Sequence, residues 1–176
     1  MSTQQKENLQ GLIRNIPDFP KKGILFRDIT PLLSDGSSFR SAVNILSSAC
    51  PAGTQAVAGI ESRGFIFGAA VAGFLGVGFV PIRKSGKLPY QTEKITYALE
   101  YGTDTLEVHK DALEGQNRVV LVDDLLATGG TAAAACGLLE KIGGKVLKVV
   151  FLIELADLKG RQKISGYDTF SLLVFD

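Results

Sequence analysis

The run Val119-Val120-Leu121-Val122-Asp123-Asp124-Leu125-Leu126-Ala127-Thr128-Gly129-Gly130-Thr131 puts an apolar segment, two carboxylates and a small-residue turn in direct succession. Val119 to Val122 has no polar alternation, which is how a strand covered on both faces of a parallel sheet reads. Parallel strands need crossover connections, usually helices, so this segment points to an α/β fold. Ligands of open α/β sheets bind beyond the carboxyl ends of the strands. Asp123 and Asp124 are therefore placed to accept hydrogen bonds from sugar hydroxyls or to face a hydrated cation. Strand pleating or a bend can leave only one of them facing the ligand. Ala127 to Thr131 is small enough for backbone N–H groups to converge on an anion, with Thr128 and Thr131 as added hydroxyl donors. Ala132 to Ile142 reads as a helix whose N-terminal dipole strengthens that site.

A plain strand, turn and helix with acidic residues near the helix start would share some of these features. The order of the whole string favours a ligand site, and other phosphate motifs fit poorly. There is no G-x-x-x-x-G-K-[ST], Phe65 follows Gly64 where a P-loop needs lysine, and Gly76-Val77-Gly78 runs into Pro81.

The rest of the chain alternates strand and helix signals as right-handed crossovers require. Gln55 to Ile60, Gly78 to Ile82, Arg118 to Val122, Val146 to Leu155 and Phe170 to Phe175 read as strands, and Gly64 to Leu75 as a helix. Ile95 to Leu99 and Thr105 to His109 alternate apolar and polar residues, as a solvent-facing hairpin turning at Glu100 to Asp104 would. The first part of the chain reads as a short polar helix within Ser2 to Asn15, then a segment broken by Pro17, Pro20, Gly23 and Pro31.

At 176 residues and 45% hydrophobic composition, one well-filled domain spanning 1–176 is expected. Lys plus Arg at 19 against Asp plus Glu at 18 leaves almost no net charge, so no global field recruits nucleic acid or membrane, and any anion site must be local. Cys50 and Cys136 have no C-x-x-C partner, and buried free thiols in a reducing compartment are expected. With neither a signal-peptide core nor a stretch long enough to span a bilayer, a cytoplasmic location is expected. His109 is the only histidine. It is expected to be structural or exposed, and a histidine-based metal cluster is ruled out.

Val119 to Thr131 resembles the 5-phosphoribosyl 1-pyrophosphate (PRPP) motif of type I phosphoribosyltransferases. Pro17-Asp18-Phe19-Pro20 with Gly23 to Leu33, Glu61-Ser62-Arg63-Gly64-Phe65, Arg83-Lys84-Ser85-Gly86-Lys87-Leu88-Pro89 and the flap segment Tyr97 to Gly102 resemble the adenine branch of that family. The similarity runs from about Ile16 to the carboxyl terminus. It implies a mostly parallel sheet flanked by helices, an N-terminal hood over residues 1–34 and a flexible β-hairpin flap over about 90–110. It implies conversion of adenine and PRPP to AMP and pyrophosphate in purine salvage, by a homodimer. Mg²⁺ would be held mainly through PRPP, with no direct protein ligand.

By the same resemblance Asp123, Asp124, Ala127, Thr128, Gly129, Gly130 and Thr131 hold the ribose and 5-phosphate. Glu61, Ser62, Arg63, Arg83 and Lys87 face the pyrophosphate, with a non-proline cis peptide near Glu61-Ser62. Phe26, Arg27 and Leu155 frame adenine, Phe26 by stacking and Arg27 through its backbone. Glu100 carries the proton transfer and Tyr101 helps close the flap. A transferase for xanthine, hypoxanthine or guanine, or a noncatalytic PRPP-sensing regulator, would share the phosphate loop.

Overall fold

The computed structural model describes residues 3–98 and 102–176. Its centre is a seven-stranded sheet of β3 (Ala56–Ile60), β4 (Gly78–Lys84), β5 (Thr92–Ala98), β6 (Thr103–His109), β7 (Arg118–Leu126), β8 (Lys145–Leu155) and β9 (Thr169–Phe175), in the order β5-β6-β4-β3-β7-β8-β9. The contacts from β4 through β3, β7 and β8 to β9 are parallel, while β6 runs antiparallel to both β4 and β5. The expected mostly parallel α/β sheet is therefore present.

Strand pleating divides the core. Ala56, Ala58 and Ile60 of β3, Val119 and Leu121 of β7, and Val149 and Phe151 of β8 pack with α5 (Gly130–Lys141). Val57, Val120, Val122, Val150 and Leu152 pack on the opposite face with α3 (Gly36–Ser48) and α4 (Arg63–Leu75). Burial on both faces explains the unbroken apolar stretches from Val119 to Val122 in β7 and from Val149 to Ile153 in β8.

The amino-terminal region is more structured than its composition suggests. Helix α1 (Thr3–Gly11) is shorter than expected and is followed by the antiparallel ribbon of β1 (Arg14–Pro17) and β2 (Leu25–Asp28). A short helix, α2 (Thr30–Ser34), leads into α3, which has no counterpart among the elements read from the sequence. Its signal is present all the same. Phe39, Ala42, Val43 and Leu46 recur at helical spacing, and the Asp35 carboxylate caps the start by accepting from Ser38 N at 2.7 Å.

Two further boundaries differ from expectation. β7 continues through both aspartates to Leu126, because β8 is long enough to pair with Leu125 and Leu126 through Ile153 and Glu154. The hairpin is also more than a solvent-facing ribbon. β5 and β6 are in register from Thr92↔His109 to Ala98↔Thr103, and β6 joins the main sheet through β4 with Leu106, Glu107 and Val108 buried. Cys136 is a buried free thiol, and Cys50 is free and half-buried just past α3. No helix among the described residues is long and apolar enough to cross a membrane.

Leu121 is fully buried in the middle of β7, whereas Val174 on β9 is 41% exposed. Leu121→Ala should cost about 3 kcal/mol through lost transfer energy and a cavity, and Val174→Ala less than about 1 kcal/mol. Equilibrium denaturation of the two variants checks the difference.

Candidate functional site

A cavity of about 360 Å³ opens where β3 and β7 end and α4 and α5 begin, lined by residues 60–63 and 123–132. Both Asp123 and Asp124 line it, so the pleat does not remove either from the site. Asp123 can sit there because its neighbour on α4 is Gly64, where a Cβ would collide with Asp123 Oδ1. Asp123 Oδ1 accepts from Asp124 N at 3.0 Å, and Asp124 Oδ2 lies 2.8 Å from Arg63 Nε. Burial pushes the Asp123 carboxyl well above the usual carboxylate range, and the charge of Asp124 adds to the shift. Burial also raises Asp124, against the pull of Arg63. Two adjacent buried carboxylates with one guanidinium form a strong acceptor site for hydroxyl donors or a hydrated cation.

Residues 127–129 form the turn between β7 and α5, and Thr131 lies in the first turn of that helix. Gly129, at φ 80°, is the N-cap and provides no side-chain cap, leaving the first amides of α5 to an external acceptor. The turn is braced from behind by the 3₁₀ segment Gly160–Ile164. A Cβ at Gly129 would strike the Gly160 carbonyl, and one at Gly160 would strike the Ala127 carbonyl. Such contact is open only to glycine. On the other side Tyr97 Oη lies 3.2 Å from Thr131 Oγ1, bringing β5 over the start of α5.

Glu61 and Ser62 follow β3 through a non-proline cis peptide and lead into Arg63 at the start of α4. The Glu61 carboxylate accepts from Arg83 Nε at 3.2 Å, from Arg83 Nη2 at 3.0 Å and from Lys84 N at 3.2 Å. The Arg83 hydrogen bonds outweigh burial and lower the Glu61 pKa. Arg83 Nη1 donates to the Lys87 carbonyl at 3.1 Å, so the guanidinium braces the basic loop against the loop after β3. Arg83 and Lys87 are not among the lining residues, and the Lys87 side chain is exposed.

On the hood, strand alternation separates two expected neighbours. Phe26 lines an apolar cavity of about 460 Å³ with Phe19, Ile29, Leu33, Arg63 and Ile66. The Arg63 guanidinium lies 5.1 Å from the Phe26 ring centre, linking this cavity to the carboxylates. Arg27 lines a separate cavity of about 430 Å³ with Leu25, Leu155 and Asp157. Its guanidinium lies 4.2 Å from the Phe175 ring centre and donates to Asn15 Oδ1 at 2.5 Å. Glu100 and Tyr101 lie outside the described residues.

Two contributors escaped the sequence reading. Gly160 had no motif to mark it. Glu107 lies between the inward residues Leu106 and Val108, so alternation assigns it to solvent, yet it is 1% exposed because residues 86–88 cover it. Burial pushes the Glu107 carboxyl up. The amide of Leu88, the Lys94 ammonium and the amides of Gly86 and Lys87 outweigh that and hold its pKa at about 2.

A model of the phosphoribosyl transferase domain matches residues 40–174. The chain is 56% identical over 171 residues to an adenine phosphoribosyltransferase of Thermoanaerobacter sp. (strain X514), covering 96% of this chain and 98% of that protein. A crystal structure of adenine phosphoribosyltransferase from Thermoanaerobacter pseudethanolicus is similar at 55% identity and a TM-score of 0.93, covering 97% of this chain and 99% of that one. The Saccharomyces cerevisiae adenine phosphoribosyltransferase, solved with adenine and an imino-altritol bisphosphate, is similar at 41% identity and a TM-score of 0.91, covering 98% of this chain and all of that one.

Gly160→Ala should loosen the turn against α5, lowering stability by about 1–3 kcal/mol together with affinity for phosphorylated ligands. Gly166→Ala, with open space around the position, should change neither. Thermal melts and phosphate titration of the pair provide the check. A second expectation concerns acid. The folded pKa of Glu107, at about 2, lies below its ordinary value of 4.5. Its contribution to stability is therefore present above about pH 4.5 and is lost as the pH falls toward about 2. Denaturant midpoints of the native protein and Glu107→Gln should converge over that window.

Proposed function

The chain belongs to the phosphoribosyl transferase family, within its adenine phosphoribosyltransferases, and from that premise we propose how its residues join adenine to PRPP to give AMP and pyrophosphate. The observation that carries the reading is one cavity in which Asp123, Asp124, the 127–131 turn and Glu61-Ser62-Arg63 meet. The amides at the start of α5, with the Thr128 and Thr131 hydroxyls, take the 5-phosphate. Asp123 and Asp124 accept from the ribose hydroxyls. Arg63 and Lys87 offset the negative charge of the leaving pyrophosphate, while Glu61 and Arg83 hold the loops on either side of it.

The bond from the anomeric carbon to pyrophosphate breaks as the bond to the purine nitrogen forms, through a transition state like an oxocarbenium ion. The nitrogen sheds its proton to Glu100, and in the reverse direction Glu100 returns it. Tyr101 and the flap exclude water from the reacting centre. On the hood side Phe26 stacks on adenine from its own cavity and the Arg27 backbone reads the base edge, while the Arg27 side chain turns into the second cavity, from whose side Leu155 packs toward the base.

Mg²⁺ is the implied cofactor, and Asp123 and Asp124 would face it through its water shell, with no direct protein ligand. When bound, held mainly through PRPP, it would supply charge neutralisation for the pyrophosphate. We further propose a cytoplasmic homodimer.

The test is AMP formation from PRPP with adenine, hypoxanthine and guanine offered separately. Turnover should be confined to adenine, and product from the other purines without adenine turnover would overturn the base assignment. Glu100→Gln should lower kcat about 100-fold or more with little change in PRPP affinity, and unchanged turnover would remove Glu100 as the acid/base. Asp124→Asn should weaken PRPP binding, and a normal affinity with normal magnesium dependence would refute the ribose assignment.

A further inference from the structure

Glu107 is a buried carboxylate that the proposed mechanism does not use. Its Oε1 accepts from Lys87 N at 2.8 Å and Leu88 N at 2.9 Å, while its Oε2 lies 3.1 Å from Lys94 Nζ. Lys94 also donates to Ser85 Oγ at 3.3 Å. The turn after β4 is therefore gathered around one side chain reaching across from β6, where Arg83 pairs with Glu107 itself. A buried charge is costly unless its acceptor sites are filled, and removing one partner leaves the others unpaired. A turn that needed only to reverse the chain would not require such a group at its centre.

The consequences reach the cavity through a short series of contacts. Glu107 fixes the amide of Lys87, the Lys87 carbonyl holds Arg83, and Arg83 forks onto Glu61 beside Ser62 and Arg63. Lys94 stands on β5, so the same carboxylate ties the basic loop to the root of the flap hairpin.

We propose that Glu107 is a positioning residue for the pyrophosphate half of the reaction. It holds the 86–88 turn so that Lys87 meets the leaving group beside the loop that Arg83 and Glu61 brace, and Lys94 joins that turn to the flap. The proposal rests on the reading above that this loop faces pyrophosphate.

The experiment is steady-state kinetics on the full chain in both directions, varying PRPP, adenine, AMP and pyrophosphate one at a time. Glu107→Gln should raise KM for PRPP and for pyrophosphate roughly tenfold and leave KM for adenine and AMP within about twofold. Lys94→Met, which keeps the backbone bonds to Glu107, should move the same two constants less. Combining Glu107→Gln with Lys87→Ala should add little to Lys87→Ala alone, because a misplaced side chain is no longer there to misplace.

Equal rises for PRPP and adenine, or effects of the two substitutions that multiply, would reduce Glu107 to a stabiliser of the fold. If Glu107→Gln does not fold, unchanged PRPP and pyrophosphate constants in Lys94→Met overturn the proposal. Lys87→Ala separates the two levels. An impaired Lys87→Ala beside an unaffected Glu107→Gln refutes the positioning role alone, whereas an unaffected Lys87→Ala removes the pyrophosphate reading of the loop and the proposal with it.

Discussion

The adjacent burial of Asp123 and Asp124 is the constraint around which the other parts of the site are arranged. Two carboxylates this close, shielded from water, are costly without nearby positive charge or donors. Arg63 supplies the charge from the start of α4 at 2.8 Å, and its side chain also reaches the Phe26 ring of the hood. Gly64 gives Asp123 the room to approach. The β3–α4 junction, the end of β7 and the hood are therefore positioned relative to one another by one short set of contacts. Ribose hydroxyls and a hydrated cation are the ligands that such a carboxylate pair is suited to take.

The turn before α5 is built differently. It uses backbone and the absence of side chains, with Gly129 and Gly160 allowing the 127–129 turn to lie directly on the 3₁₀ segment behind it. Rigid backing suits amides that must converge on one anion, since loss of their geometry would weaken every donor together. The basic loop after β4 is held by ion pairs, Arg83 on Glu61 and Lys94 on Glu107, each with one member in the Arg83↔Glu107 step of the antiparallel joint between β4 and β6. The hairpin on the far side of that joint is thereby an extension of the main sheet.

Much of the central architecture was legible because burial on both faces leaves an unmistakable pattern. β3 and the central stretches of β7 and β8 read as apolar runs, and α4 as a small-residue helix ahead of a strand. Helix α3 was missed because its serines obscure an apolar stripe that becomes clear only when Phe39, Ala42, Val43 and Leu46 are seen on one face. The end of β7 was placed early because aspartates usually mark the end of a strand, whereas the length of β8 carries the pairing through them. Glu107 was invisible in principle, since alternation says which way a side chain points but not whether a later loop will cover it.

The sequence by itself determined the α/β class, the strand that ends in two carboxylates, the small-residue turn and the family resemblance, because each depends on residues close together in the chain or on motifs. Only the tertiary structure decided that both aspartates share one cavity, that Arg83 is paired with Glu61, that Gly160 backs the 127–129 turn and that Glu107 is enclosed. It also put Phe26 and Arg27 on different cavities of the hood. Those outcomes depend on elements far apart in sequence, whose approach is set by strand order and close packing that local patterns do not encode.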